Sequence, residues 1–344
     1  MKAALILPWY GKLPWYWPLF EKSAQQMCFD VIGVAEHGFS VHGRNFRVAE
    51  MSLDELRTRA ESALGCEVCL DSGYKVCDLR PMFGIVFADL LADYDYWAYG
   101  DCDVIYGVGM NDFVRKAMLG GWDVATAWKD WLCGPFTLMR NTDSVNNLFR
   151  RSGAWRTVLG TPGNQMSDEL GPDWFLSYCV LHMSLEEIVR RRDWTFGSIV
   201  WRAKDIRLLS EYVVCDDTLR HGGLHVHPDG RLTLHGKEAK MFHLIAAKKH
   251  PSFIGGFHDS RVPDEYELTK DGVLPMRGTW ERFCRRLWHR IWGWSAYLWR
   301  VATLDAGEMK RLRRFVRRKA GVKEWWVVKS SPKTDACIEK EFVL

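Results

Sequence analysis

The chain predicts an α/β fold, a mostly parallel sheet with helices on both faces, and three observations carry that prediction. Short apolar runs closed by Pro or Gly alternate with amphipathic stretches over the first 150 residues. The opening run, Ala3-Ala-Leu-Ile-Leu7, is apolar without a break, as a strand buried on both faces must be. Ser52-Leu-Asp-Glu55 is a capping box that sets the start of an intervening helix.

The elements follow in order. Ala3–Leu7 reads as the first strand, closed by Pro8, Gly11 and Pro14, with strands next at Asp30–Ala35 and Phe46–Glu50. Helices are expected at Leu53–Leu64, Pro81–Leu91, Asn111–Met118 and Ser144–Arg150, and strands at Tyr96–Tyr99, Val124–Ala127, Gly134–Arg140 and Leu208–Val214. Leu224–Leu234 alternates around Asp229-Gly230, which predicts a β-hairpin with its polar face outward. The domains expected are residues 1–270, the α/β domain, and 271–344, a basic, Trp-rich helical tail.

Composition bounds the function. Nearly half of the 344 residues are apolar, enough for one large core and an appendage. No window offers eighteen uncharged apolar residues, and the N-terminal run leads into Pro-Trp-Tyr without a small-residue cleavage site, so a cytoplasmic protein is expected. The ten cysteines then read as reduced thiols. Cys66, Cys69 and Cys77 with His221, His225, His227 and His235 lack the two tight pairs of a structural zinc site, and the hairpin accounts better for the histidines.

Chemistry concentrates at residues 94–107, YDYWAYGDCDVIYG. Asp101 and Asp103 stand one residue apart at the end of a strand, on the same face, where both reach one divalent cation. Carboxylate oxygens suit Mg²⁺ or Mn²⁺, whose open positions accept a diphosphate. Asp101-Cys-Asp103-Val-Ile also resembles the nucleophile motif of haloacid-dehalogenase-type phosphatases, which normally lies much nearer the start of its domain.

Four blocks stand in order: Leu7-Pro-Trp-Tyr-Gly-Lys-Leu-Pro14, Tyr74-Lys-Val-Cys-Asp-Leu-Arg-Pro81, Gly100-Asp-Cys-Asp103 and Gly134-Pro-Phe-Thr-Leu-Met-Arg-Asn141. Together, over about residues 1–260, the chain resembles the DUF6625-type family of uncharacterised bacterial proteins that look like glycosyltransferases of the A fold (GT-A). The resemblance implies a nucleotide-sugar donor and a cell-surface polysaccharide or lipid-linked saccharide acceptor. Asp101 and Asp103 then correspond to the Asp-x-Asp metal motif, and His243, in Met241-Phe-His-Leu244, to the late histidine that such enzymes often supply. Tyr10, Gly11 and Lys12 follow the first strand, where the nucleotide sits. Lys75 and Arg80 are placed to neutralise the diphosphate, and Asp78 to bind ribose or base. Asp168 or Glu169 is the candidate base that deprotonates the acceptor. A degenerate module that binds a sugar nucleotide without turnover is the non-enzymatic alternative.

The tail has its own signature. Residues 277–333 hold sixteen of the chain's 47 Lys and Arg but four of its 43 Asp and Glu. Trp280, Phe283, Leu287, Trp288, Ile291, Trp292 and Trp294 recur at helical spacing beside Arg282, Arg285, Arg286 and Arg290. Basic, tryptophan-edged helices suit an anionic membrane surface, here over residues 280–319, better than base edges, so nucleic acid is a lesser candidate partner. Packing of the aromatic stripe on the catalytic domain is the competing reading.

Overall fold

The computed structural model describes residues 1–126, 134–151, 155–163, 223–244, 262–269 and 272–276, except Gly38, Ser40 and His235, and six helical positions between Trp280 and Ser295. The chain forms two compact units, Met1–Gly293 and Trp294–Leu344. All described residues except Ser295 belong to the first.

In chain order its strands are β1 (Ala3–Trp9), β2 (Asp30–Ala35), β3 (Phe46–Glu50), β4 (Tyr96–Gly100), β5 (Val104–Tyr106), β6 (Val124–Thr126), β7 (Phe136–Arg140), β8 (Leu224–Val226), β9 (Leu232–Leu234), β10 (Lys237–Ala239), β11 (Met241–His243), β12 (Tyr266–Thr269) and β13 (Gly272–Pro275). The helices are α1 (Trp17–Ala24), α2 (Leu53–Leu64), α3 (Phe83–Val86), α4 (Gly109–Leu119), α5 (Asp143–Asn146) and α6 (Trp155–Gly160).

Among the described residues the main sheet has six strands in the order β3-β2-β1-β4-β7-β6. The strands β3, β2, β1 and β4 run parallel, whereas β7 is antiparallel to both of its neighbours. The expected mostly parallel α/β sheet is therefore present, with one reversed strand. Alternation along β1 feeds two cores: Ala4 and Ile6 pack with Leu56, Ala60 and Leu64 of α2, while Ala3, Leu5 and Leu7 pack with Phe20 of α1 and Met110 and Val114 of α4. Full burial of a side chain such as Leu5 or Ile6 contributes about 1.5–3 kcal/mol, so neither face of β1 tolerates a polar residue.

The capping box at Ser52 forms as expected: Ser52 Oγ accepts from the Glu55 amide, and the Glu55 carboxylate accepts from the Ser52 amide at 2.7 Å. The Leu224–Leu234 hairpin forms as well, with Asp229-Gly230 in its turn and Gly230 at φ +80°. It belongs to a second, five-stranded sheet, β10-β9-β8-β12-β13, whose inner face shares a core with Leu19 and Ile105.

Other expectations change. The helix expected at Pro81–Leu91 is a 3₁₀ segment, Gly73–Met82, followed by the single turn α3. Pro81 lacks an amide hydrogen and biases Arg80 away from α geometry, which keeps the segment from running as one α-helix. The helix expected at Ser144–Arg150 divides into α5, capped by Thr142, and a 3₁₀ turn at Leu148–Arg151. The β12–β13 hairpin crosses the expected boundary at residue 270, so the first unit extends beyond it. The strand expected at Leu208–Val214 lies outside the described residues.

The block ending in Arg140-Asn141-Thr142 works as a brace for β4. Asn141 donates to the carbonyls of Leu91 and Tyr94 and accepts from Asn146, whose Oδ1 in turn accepts from the buried Trp97 indole at 2.8 Å. This network fixes the beginning of β4, and with it the register of the carboxylates at the other end.

Candidate metal centre

All five residues of β4 are buried, and its last residue is glycine because a Cβ there would stand 2.7 Å from the carbonyl oxygen of Pro135, the residue before β7. The chain then turns through Asp101-Cys102-Asp103 into β5. Antiparallel to β5 lies β11, which places His243 opposite Val104, and the Leu244 amide donates to the Asp103 carbonyl at 2.7 Å. A residue 140 positions away is thereby carried to the aspartates by a short ladder.

His243 Nε2 lies 3.3 Å from Asp103 Oδ2 and 3.9 Å from Asp101 Oδ2. Asp103 and His243 are buried and Asp101 is partly exposed, which gives a closed floor and one open side. One ligand atom from each of the three falls within 4.8 Å of the others. An octahedron with ~2.1 Å bonds has edges of about 3 Å, so small side-chain adjustments would close this set on one Mg²⁺ or Mn²⁺.

Arg80 is the fourth member. Its Nη2 donates to Asp101 Oδ1, and its guanidinium also lies beside the carbonyls of Gly100 and Gly134. Burial opposes its charge, but the adjacent Asp101 outweighs burial and raises the Arg80 pKa further above its ordinary value.

Lys75 and Asp78 lie deeper than expected. Both side chains are fully buried, Lys75 Nζ is 2.6 Å from Asp78 Oδ2, and it donates to the Val158 carbonyl of α6 at 2.7 Å. The reading of these two as phosphate and ribose contacts gives way to an internal ion pair, because a fully desolvated ammonium and carboxylate must satisfy each other. The pair fastens the 3₁₀ segment that presents Arg80.

Tyr10, Gly11 and Lys12 leave the end of β1. Gly11 has φ +112° with nothing within 4 Å of an added Cβ, so its conformation demands glycine rather than any lack of space. Tyr10 packs against Gly73 at the head of the 3₁₀ segment, and its buried hydroxyl has no hydrogen-bond partner among the described residues. Burial, then Glu36 and Glu55, raise its pKa. Lys12 is exposed. In the strand order, β2 lies on one side of β1 and β4 on the other, so the loops following β1 and β4 flank the point where chain direction across the sheet switches, the customary ligand crevice of open α/β sheets.

Tyr16 was not anticipated. Burial raises its pKa strongly, the nearby Cys102, Asp103 and Asp101 add to the effect, and the phenol stays protonated. The signal in the sequence was the Trp15-Tyr16-Trp17 run following the loop of the first strand. The two candidate bases, Asp168 and Glu169, lie outside the described residues.

These features define a mixed α/β protein with a candidate divalent-metal centre at the carboxyl ends of its strands. The chain belongs to a family of unknown function (DUF6625), whose profile matches residues 5–233. That span includes Arg80, Asp101 and Asp103 and stops ten residues before His243. No curated protein matches the chain.

Proposed function

We propose that this protein is a metal-dependent glycosyltransferase with a GT-A-like fold, which moves a sugar from a nucleotide-sugar donor to a cell-surface polysaccharide or lipid-linked saccharide. The observation that carries this reading is the convergence of Asp101, Asp103 and His243 just beyond β4, beside the β1–β4 switch point. Two carboxylates and one imidazole leave positions on Mn²⁺ or Mg²⁺ for diphosphate oxygens. Such a cation, when bound, stabilises the negative charge that develops on the leaving diphosphate.

The remaining work falls to side chains. Arg80 offers a planar guanidinium beside Asp101, suited to a second contact with phosphate oxygens. Tyr10, Gly11 and Lys12 border the nucleotide from the β1 side, and Asp168 or Glu169 takes the proton of the acceptor hydroxyl. The phosphatase reading fits less well, since a nucleophilic Asp101 needs a free oxygen and Arg80 holds Oδ1.

Among the described residues no helix is long and apolar enough to cross a membrane. Attachment to an anionic membrane surface is proposed instead for the basic tail, supported by the exposure of Trp280, Phe283, Leu287 and Ile291, which share helical spacing.

The test is a thermal-shift screen of nucleoside diphosphates and nucleotide-sugars, with and without Mn²⁺, on the wild type and on Asp103→Asn. A ligand at one hundred times its Kd adds about 2.7 kcal/mol of stability. The reading expects a Mn²⁺-dependent shift for one nucleotide that Asp103→Asn abolishes. No shift with any nucleotide would sink it. A shift without donor hydrolysis or transfer would favour a non-catalytic binding module.

A further inference from the structure

We propose that His225, His227 and Glu265 form a second metal site, selective for zinc or a similarly borderline-soft divalent ion, on the outer face of the five-stranded sheet. The site arises from register. On β8, His225 lies opposite Thr233 of β9 and opposite Glu267 of β12, and residues two apart on a strand share a face. His225, His227, Thr233 and Glu265 therefore gather on the polar side, while Leu224, Val226, Leu232 and Tyr266 fill the core on the other.

Two histidines at this spacing are ordinarily a solvated face of a hairpin. The difference here is a carboxylate brought from forty residues away. His225 Nε2 and Glu265 Oε1 are 3.1 Å apart, the imidazole rings of His225 and His227 have centroids 3.8 Å apart, and one ligand atom from each of the three residues lies within 4.8 Å of the others. A tetrahedron with ~2.0–2.1 Å bonds has edges of about 3.3 Å, close to the His225–Glu265 separation.

The surroundings favour a metal ligand set over a chance cluster. His227 Nε2 lies 2.8 Å from Thr233 Oγ1, the kind of hydrogen bond that fixes a ligand ring and leaves its other nitrogen for an ion. Glu267, the direct cross-strand neighbour of His225, folds over Gly223, where an added Cβ would stand 2.2 Å from its side chain, so Glu265 supplies the carboxylate. All three ligands are partly buried, which limits competition from water while leaving a route for the ion.

Donor type separates the two sites. Two imidazoles with one carboxylate suit zinc, whereas two carboxylates with one imidazole suit Mn²⁺ or Mg²⁺. Zinc here would tie β8 to β12, in the sheet whose β9 and β10 lead directly into β11 and His243. The inference does not depend on the glycosyltransferase reading.

The experiment uses the full-length protein loaded with Zn²⁺, dialysed, and assayed for bound metal, in parallel with Co²⁺ loading read by visible absorption. The wild type and Asp103→Asn are both expected to retain one zinc, and both to show an intense tetrahedral Co²⁺ band. His225→Ala and Glu265→Gln are expected to lose both signals while their circular dichroism stays native. Thr233→Ala should weaken retention by about 10–100-fold. No retained zinc in the wild type, equal retention in Glu265→Gln, or loss in Asp103→Asn with retention in Glu265→Gln would each overturn the proposal.

Discussion

Arg80 and Asp101 are joined through Oδ1 of the carboxylate, while Oδ2 of the same group faces His243 at 3.9 Å. One aspartate therefore serves two partners, one oxygen for a fixed cationic side chain and one for the candidate metal. Replacing Arg80 by Lys removes the planar fork but keeps the charge. If the proposed glycosyltransferase reading holds, Arg80→Lys retains Mn²⁺ binding and loses transfer activity by about 10²–10³-fold, the usual consequence of removing one positioned donor to developing charge. Calorimetric titration with Mn²⁺ alone, set beside kcat, checks the separation.

A buried ion pair gives a second prediction, on stability. Lys75→Ala or Asp78→Ala alone leaves an uncompensated charge in a fully buried position and should cost about 3–5 kcal/mol. The double substitution Lys75→Met with Asp78→Leu removes both charges and should recover most of that loss, as read by urea denaturation. If the double substitution is as unstable as either single one, the pair has a role beyond mutual neutralisation.

Much of the frame was legible in the sequence because its signals are local. The unbroken apolar run of β1, the Ser52–Glu55 capping box and the Asp229-Gly230 turn each depend on residues a few positions apart. The Asp101–Asp103 spacing was equally local, whereas His243 came only from the family resemblance, and the pairing of β11 with β5 brings it to the aspartates. What stayed hidden depends on distant partners. Nothing near Lys75 in the chain announces that its ammonium is fully buried, because the second acceptor, Val158, is 83 residues away. The reversal of β7 likewise follows from how the chain returns after β6, and Trp15-Tyr16-Trp17-Pro18 resembles a loop although Pro18 sits in the first turn of α1, where proline is tolerated.

Gly100 carries a third prediction. Its Cβ would meet backbone of Pro135, which cannot rotate away, so Gly100→Ala must displace either β7 or the end of β4. A destabilisation of about 1–3 kcal/mol is expected, the range for overpacked interiors. Because the Asp101 amide donates to the same Pro135 carbonyl at 3.3 Å, Mn²⁺ affinity should fall as well. Thermal unfolding and Mn²⁺ titration of the one variant measure both effects.

The capping box predicts an acid response. Hydrogen bonds from the Ser52 amide and hydroxyl hold the Glu55 carboxyl below its usual range. A depressed carboxylate stabilises the fold above its unfolded pKa, about 4.3, and that contribution disappears as pH falls through the lower folded value. In Glu55→Gln the corresponding acid-dependent loss should be absent, so its thermal midpoint should fall less steeply than that of the wild type below about pH 4.3. Ser52→Ala should cost about 1 kcal/mol at neutral pH.

The tail supplies the last prediction. Trp280 and Phe283 stack at a centroid distance of 5.6 Å, and with Leu287 and Ile291 they are exposed by half or more of their surface. An apolar face at that spacing, in a stretch rich in arginine, should insert at the headgroup boundary of an anionic bilayer, with each nearby Lys or Arg adding about 1 kcal/mol of attraction. Vesicles containing phosphatidylserine should sediment the full-length protein at low salt, neutral vesicles should not, and raising the salt should release it through screening. Trp280→Ser with Phe283→Ser should weaken sedimentation without changing Mn²⁺ affinity, because both rings are exposed and neither belongs to the candidate centre. Equal sedimentation with neutral and anionic vesicles would assign the attraction to the apolar face alone. No sedimentation with either would assign that face to contact with protein rather than lipid.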